Sequence, residues 1–207
     1  MGALLVLLLA VAGTAPGPAQ AGPAPDPTSR AKARVPVLSA ALVFSSAVEA
    51  YAGYQPQTRC RRKPKPGVLM LAQALVARGG SAGPIARSCA GSSVSEHKEA
   101  RAFDWMLDAR RPADKAVADA FLAELFAPDA LGNPHALARR MGVMYVIWDD
   151  TMYAAYRGFE PRPYLSSSCR RKRGCSPTLR HRDHVHVSLT RQGARGKTSW
   201  YVEQPAG

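Results

Sequence analysis

Two short segments contain four of the five histidines in this chain, and their patterns constrain the fold more than any other feature. The first spans residues 95–104, and the second spans residues 181–186 and includes His184 and His186. In the second segment histidines alternate with valines, which predicts a strand with one polar and one apolar face. We expect the valine face to pack on helices while the histidine face lines a cleft.

A single carboxylate lies between two large aromatic residues in the first segment. Alternation predicts a strand over residues 101–107, with Asp104 on the face opposite Phe103 and Trp105. Burial of an unpartnered carboxylate is costly, so Asp104 needs a metal ion or a hydrogen-bonded histidine. His97 lies just before this strand, and a turn there can fold it back over Asp104.

Taken together, the two segments supply a metal-binding donor set. His97-x6-Asp104 and His184-x-His186 offer two neutral imidazoles and one carboxylate to a divalent ion, which leaves a fourth position for water. The alternative is that each histidine is hydrogen-bonded and structural, as we expect for His135 at a helix start. We predict one Zn2+ ion.

Four cysteines predict two disulfides, because an even count in an exported chain favours pairing. Cys169 and Cys175 flank the basic stretch at 170–174 and suit a short closed loop, which leaves Cys60 to pair with Cys89. Three pairings are formally possible. A four-cysteine zinc site is disfavoured, since no C-x2-C spacing occurs.

The N-terminal region has the character of an export signal. An apolar run at residues 3–12 is too short to span a bilayer, and a small-x-small pattern follows at residues 19–21. We predict a signal peptide over residues 1–21, with an uncleaved lipid-facing anchor as the alternative. A linker rich in Pro, Ala and Gly is expected over residues 22–48, followed by one folded domain over residues 49–204.

The formal net charge of +13 predicts attraction to polyanions. Wall polymers, anionic lipids and shed nucleic acid are the extracellular candidates. No basic motif interleaved with aromatic residues and no basic amphipathic helix is visible, which argues against specific nucleic-acid or membrane binding. The basic loop at 169–175 either contacts an anionic substrate or is a solvated turn.

Hydrophobic periodicity predicts an α+β domain with a small, largely antiparallel sheet. Helices are expected at 66–79, 112–126 and 134–141, and strands at 101–107, 143–148 and 184–189.

The pattern Ser95-x-His97-x6-Asp104 with His184-x-His186 resembles the LAS-type zinc peptidases. This group includes D-Ala-D-Ala carboxypeptidases and dipeptidases, phage L-Ala-D-Glu endopeptidases and the hedgehog signalling domain. The stretches 95–105, 144–148 and 181–186 further resemble a secreted actinobacterial branch labelled extensin-like, over roughly residues 50–202.

This resemblance implies a hedgehog/D-Ala-D-Ala-peptidase-like fold, with helices and a four-stranded antiparallel sheet that hold one zinc ion. It also implies that His97, Asp104 and His186 are the metal ligands and that Ser95 helps to place the substrate.

Two positions depart from the pattern of the resembled family. Ala100 stands where glycine is usual, and Asp183 stands where a glutamate base is usual, three residues before the last ligand. Aspartate is one methylene shorter, and alternation places Asp183 on the face opposite His186. Asp183, His184 and His181 therefore all remain candidates for the general base.

We expect Arg87 or Arg101 to stabilise an oxyanion or to bind a terminal carboxylate, and a disulfide at Cys89 would hold Arg87 near the site. The predicted function is a secreted zinc metallopeptidase, a carboxypeptidase or endopeptidase acting on peptidoglycan stem peptides or cross-links. The alternative is a non-catalytic, zinc-stapled module that binds the cell wall. We expect a wall-associated monomer whose partner is an anionic cell-wall polymer or peptidoglycan peptide, with no specific nucleic acid and no transmembrane span after signal cleavage.

Overall fold

A six-stranded antiparallel sheet forms the centre of the protein, whose computed structural model describes residues 44–203. The strands are β1 (Ser81–Ala82), β2 (Ala102–Met106), β3 (Val143–Trp148), β4 (Thr151–Ala154), β5 (Pro161–Pro163) and β6 (Val185–Leu189). Their order across the sheet is β1-β2-β6-β3-β4-β5, and every neighbouring pair is antiparallel. Helices accompany the sheet, so the predicted α+β class is confirmed.

The helices begin and end where local backbone chemistry requires it. They are α1 (Pro66–Val76), α2 (Pro112–Phe126), α3 (Ala136–Arg140), α4 (Arg191–Ala194) and α5 (Ser199–Val202), with 3-10 helices at Glu96–Glu99, Ala155–Arg157 and Thr178–Arg180. Proline in the first turn of α1 and α2 sacrifices no helical hydrogen bond. The helix predicted over residues 134–141 begins only at Ala136, because His135 has a left-handed φ of +53°.

Alternation along β2 and β6 divides the sheet into two faces, as predicted. Phe103 and Trp105 of β2 lie with Val185 and Val187 of β6 in the main hydrophobic core. Leu71 and Leu75 of α1 and Phe121 and Leu125 of α2 belong to the same core. The apolar face of these strands is therefore covered by helices, and the polar face is left to form a site.

The polar face is assembled by strand register. Asp104 pairs directly with His186 between β2 and β6, and Ile147 pairs with His186 between β3 and β6. The register shifts between Val143 and Tyr145, which marks a bulge in β3. Tyr145 and Ile147 then share a second, smaller apolar cluster instead of joining the main core.

The sheet has six strands, whereas the resemblance implies four. The three strands that were not predicted from the sequence, β1, β4 and β5, contain two, four and three residues, too few for alternation to be recognised in a sequence. β4 follows β3 through Asp149 and Asp150, which have φ values of +44° and +63°. Positive φ at both central residues is the signature of a tight hairpin turn, and aspartate tolerates it better than most residues.

The N-terminal edge of the folded domain lies slightly earlier than predicted. The predicted signal peptide and almost all of the predicted linker fall outside the described residues. However, Phe44 packs against the core, and Ser45 and Ser46 bind the carboxylate of Glu203 through their hydroxyl groups. Residues 44–48 are therefore part of the packed chain, because a ring and two hydroxyls there have partners in the domain.

Both predicted disulfides are present, joining Cys60 to Cys89 and Cys169 to Cys175. Disulfides persist in oxidising compartments, so this pairing is compatible with an extracellular protein. Within residues 44–203, no helix combines the length and the apolar character that crossing a bilayer requires.

Gly67 permits the close approach of α1 to α4, and its replacement by alanine should destabilise the domain. A Cβ at Gly67 would overlap the carbonyl oxygen of Gly193 and lie 2.7 Å from the amide nitrogen of Gly196. We expect Gly67→Ala to lower the free energy of unfolding by about 1–3 kcal/mol, measured by urea denaturation. Gly53→Ala is the matched control, because a Cβ there would meet no described atom within 4 Å. Equal stability of the two variants would contradict this account of the contact.

Candidate metal centre

Three potential metal-donor atoms from distant parts of the chain lie close together at the polar face of the sheet. His97 Nε2 lies 3.1 Å from Asp104 Oδ1 and 3.2 Å from His186 Nδ1, and the latter two atoms are 2.9 Å apart. All three side chains are buried. Donors bonded tetrahedrally to zinc are roughly 3.3 Å apart, from bond lengths near 2.0–2.1 Å. These residues could therefore hold one metal ion.

Local structure explains how His97 reaches the two strands. Ser95 caps the Glu96–Glu99 3-10 helix, where its Oγ accepts a hydrogen bond from the His97 N–H. Ala100 ends this helix with φ +49° and ψ +45°, a left-handed conformation that turns the chain directly into β2. The position where the resembled family has glycine is thus one where glycine would be unstrained. The side chain of His97 folds back over Asp104, as predicted.

In both imidazoles, the ring nitrogen that points away from the other donors has a hydrogen-bond partner. This contact fixes the orientation of each ring. His97 Nδ1 lies 3.1 Å from the carbonyl oxygen of Ile85, which can only accept, so Nδ1 carries a proton and Nε2 is the ring nitrogen that faces Asp104. His186 Nε2 lies 2.9 Å from Ser188 Oγ, and its Nδ1 faces Asp104. With the carboxylate of Asp104, these two nitrogens form a group of three potential ligand atoms, and a bound cation would replace the protons that the group shares here.

The protonation states also suit metal binding. Burial raises the pKa of Asp104, but hydrogen bonds and charge interactions with His186 and His97 outweigh it and hold the pKa below its usual range. Burial lowers the pKa of His186, against the opposing effect of Asp104. The carboxylate is therefore ionised and the imidazole neutral, which are the forms that coordinate a metal.

A second carboxylate and imidazole lie beside the three donors. His184 Nδ1 is 2.7 Å from Asp183 Oδ1, while its Nε2 is 3.7 Å from Asp104 Oδ1. Thr178 donates its hydroxyl proton to the other oxygen of Asp183 at 2.5 Å. Within residues 44–203, Asp183 contacts His184 and Thr178 but none of the three donors. Of these two candidates for the base, His184 faces the site and Asp183 orients it.

His181 completes a cluster of imidazoles at this site. Its ring centroid lies 4.7 Å from that of His184 and 5.5 Å from that of His186, and Tyr164 contacts it edge-on. Burial, followed by the neighbouring His186 and His184, lowers the pKa of His181 to about 2. Its buried Nδ1 has no hydrogen-bond partner in the described part of the chain. His181 is therefore neutral, with one ring nitrogen uncommitted.

The two arginines expected to contact substrate occupy different environments. Arg101 is fully buried and donates to Glu99 at 2.6 Å, to the Leu189 carbonyl at 2.9 Å and to the Gln55 carbonyl. The substrate-binding role predicted for Arg101 is therefore wrong, because its donors are consumed inside the domain. Arg87 has an exposed side chain, and its backbone N–H donates to the His97 carbonyl at 3.2 Å.

Tyr145 and Glu96 are neighbours of the site that sequence reasoning missed. The Tyr145 ring stacks on His186 with centroids 5.5 Å apart and an interplanar angle of 18°. Its hydroxyl donates to Glu96 Oε2 at 2.5 Å, which ties β3 to the 3-10 helix that carries His97. The bulge in β3 hides this arrangement from simple alternation, although the proximity of Glu96 to His97 in the chain offered a partial signal.

Comparison with models of known protein families gives a match. A family model described as VldE, C-terminal domain, matches residues 60–177, which is more than half of the chain. The matched region contains His97 and Asp104 and ends before β6, which carries His186. No curated protein and no solved structure matches the chain.

Removal of any one of the three donors should prevent metal binding. We expect His97→Ala, Asp104→Asn and His186→Ala each to weaken metal affinity by more than the roughly 10–100-fold typical of residues that only orient a ligand. Metal content after exhaustive dialysis, measured by mass spectrometry, checks this. His135→Ala is the control, because His135 bonds Tyr51 at the start of α3. Full metal occupancy in the three variants would rule the site out.

Arg101 should matter for stability. Arg101→Leu leaves Glu96 buried without its cation and leaves Glu99 only the more distant Arg191, at 3.4 Å, so we expect a loss of about 3–5 kcal/mol in the free energy of unfolding. Urea denaturation at neutral pH provides the measurement. Arg87→Leu, at an exposed position, should change stability by no more than about 0.5 kcal/mol. A small loss in Arg101→Leu would show that the buried ion pairs contribute little.

Proposed function

The chain belongs to the VldE, C-terminal domain family, and we propose that it is a zinc-dependent peptidase acting on peptidoglycan stem peptides or cross-links. The observation that carries this proposal is the buried triangle of His97, Asp104 and His186, with an oriented imidazole beside it. The resemblance of Ser95-x-His97-x6-Asp104 and His184-x-His186 to the LAS-type zinc peptidases supports it. A hedgehog/D-Ala-D-Ala-peptidase-like fold belongs to the same proposal.

Zinc is the proposed metal because the donor set is two imidazole nitrogens and one carboxylate oxygen. Magnesium and calcium prefer oxygen donors alone, whereas this combination is common in catalytic zinc sites. When bound, such an ion polarises a carbonyl group and lowers the pKa of coordinated water towards about 7. His97 Nε2, His186 Nδ1 and Asp104 Oδ1 would hold it.

His184 is the proposed general base. Its Nε2 faces the donor triangle and can accept a proton from water, and it can later return that proton to the leaving amine. Asp183 holds the opposite ring nitrogen and stabilises the imidazolium that forms, while Thr178 fixes the Asp183 carboxylate. Asp183 therefore acts as a positioning residue in this mechanism.

Substrate recognition falls to groups that remain available near His97. Arg87 has an exposed guanidinium on the segment that hydrogen-bonds the His97 carbonyl, so we assign it the binding of a substrate carboxylate. Ser95 is half-buried at the start of the same 3-10 helix, and its hydroxyl can donate to substrate while it caps the helix.

A non-catalytic, zinc-stapled wall-binding module is the second candidate, and one observation favours it. His184 Nε2 lies 3.7 Å from Asp104 Oδ1, outside the group of His97, Asp104 and His186, and a shift of its ring towards that group would make it a fourth ligand. Structural zinc sites are closed by four protein ligands, whereas catalytic sites keep one position for water. The role of His184 therefore distinguishes the two functions.

The proposed setting is the outside of the cell. Two disulfides suit an oxidising compartment, and the net charge of +13 suits an anionic wall. We propose a secreted, wall-associated monomer that meets peptidoglycan peptides or an anionic cell-wall polymer there.

His184→Gln separates catalysis from structural metal binding. If His184 is the base, the variant keeps its metal and loses about 10²–10⁴-fold in turnover, and Asp183→Asn shows a smaller loss. Release of new amino termini or free D-Ala from defined muropeptides, followed by chromatography, measures turnover, with His135→Gln as the control.

The contrary outcome is equally specific. A wild-type protein that is fully loaded with zinc, leaves muropeptides intact and unfolds on chelation would exclude the peptidase and support the module. In that case His184→Gln should also lose metal.

A further inference from the structure

A strongly basic groove of about 740 Å³ lies beside the N-terminus of α1. Among residues 44–203, its lining contains seven cationic side chains and a single carboxylate, that of Glu99. Six of the cations are Arg59, Arg61 and Lys63 before α1, Lys65 at its N-cap, and Arg191 and Arg195 at α4. The seventh is the buried Arg101.

The charge of this groove is largely uncompensated. Glu99 is already bound by Arg101 at 2.6 Å and by Arg191 at 3.4 Å. The exposed side chains of four cations form no hydrogen bond or ion pair with other residues in the range 44–203. These are Arg59, Arg61, Lys63 and Arg195. A concave surface with several unpaired cations favours an anionic ligand, because low-dielectric walls strengthen the positive potential.

The helix end adds to this potential. α1 has no acidic residue in its first turn and no side chain that caps its N-terminus, so its positive dipole end is not neutralised. Burial lowers the pKa of Lys65 the most, and nearby Arg101, Arg195 and Arg191 lower it further against the opposing effect of Glu99. An anion in the groove would relieve this crowding of like charges.

Covalent and backbone contacts hold the walls of the groove in place. The Cys60–Cys89 disulfide anchors the segment that carries the first three cations, and the Arg61 N–H donates to the Lys98 carbonyl at 2.6 Å. Arg191 donates to the Pro56 carbonyl at 2.7 Å, and Gly67 brings α1 against α4. Such preorganisation lowers the entropic cost of binding.

The lining also indicates the chemical class of the ligand. Guanidinium groups match the oxygens of phosphate in a two-bonded geometry, and helix N-termini favour phosphate as well. In the described part of the chain no aromatic side chain lines the groove, so bases of single-stranded nucleic acid would find no aromatic ring to stack on. We propose that this groove binds a polymer of repeated phosphate groups without bases, such as a polyol phosphate or polyphosphate.

This inference does not depend on the peptidase proposal, because none of the three metal donors lines the groove. The two sites share only the Glu96–Glu99 3-10 helix, which contributes His97 to one and Glu99 to the other. A phosphate polymer held in the groove would keep the metal centre close to the wall that carries the polymer.

Binding of labelled sodium polyphosphate to the full chain, measured by fluorescence anisotropy at about 150 mM salt, tests the proposal. We expect the double variant Arg61→Gln/Lys63→Gln to bind at least about tenfold more weakly, because it loses two charge-assisted contacts. The matched control, Arg170→Gln/Arg171→Gln, removes the same charge from the exposed loop closed by Cys169 and Cys175, and we expect a loss of no more than about threefold. Unchanged thermal unfolding of each variant confirms that it is folded.

Three results would overturn the proposal. Equal weakening in both double variants would show attraction to the overall charge and no specific groove. Equal or tighter binding of a single-stranded oligonucleotide of the same charge would assign the groove to nucleic acid. Absence of polyphosphate binding at this salt concentration would exclude polymers of repeated phosphate groups as ligands of the groove, whatever the outcome of the muropeptide digest.

Discussion

The direct pairing of Asp104 with His186 across β2 and β6 is the constraint on which the rest of the structure depends. Because side chains alternate along a strand, this register places the two polar side chains on one face and sends Phe103 and Val187 into the core on the other. A slip of one residue would bury the imidazole among the helices and expose the core residues. The hydrophobic core and the candidate metal centre are therefore specified by the same register.

The Glu96–Glu99 3-10 helix contributes residues both to the candidate metal centre and to the basic groove. His97 completes the group of three donors. The Tyr145 ring stacks on His186, and its hydroxyl donates a hydrogen bond to Glu96. Arg101 neutralises the two buried glutamates of this helix, which would otherwise be expensive to desolvate. Because this helix also bears Glu99, the basic groove and the metal centre are built on opposite parts of one short element.

Local patterns in the chain predicted the candidate donors His97, Asp104, His184 and His186, and they predicted contacts between distant groups poorly. These candidates could be predicted because two patterns indicate the two-residue period of a strand. One is a single aspartate between two aromatic residues, and the other is histidines that alternate with valines. The group of His97, Asp104 and His186 that could hold a metal ion is the set that the resemblance implied. The expectation for Arg101 failed because nothing local to it indicates Gln55 or Leu189, whose carbonyls accept its protons. The assignment of the general base stayed open for a related reason. The conformation of residues 178–184 before β6 decides whether Asp183 contacts the three donors or contacts only His184 and Thr178.

The sequence by itself determined the α+β class, the two-faced strands and the small set of candidate metal donors, because each follows from periodicity, spacing or residue chemistry along a short stretch. The choice of His186 over His184 came from the resemblance to a family, and the even cysteine count left three pairings formally open. Only the tertiary structure decided that Arg101 is buried, that His184 faces the donors through Nε2, and that cations from both ends of the domain line one groove. Those facts depend on which distant segments meet. The packing of the whole chain decides which distant segments contact one another, and no short segment of sequence contains enough information to predict it.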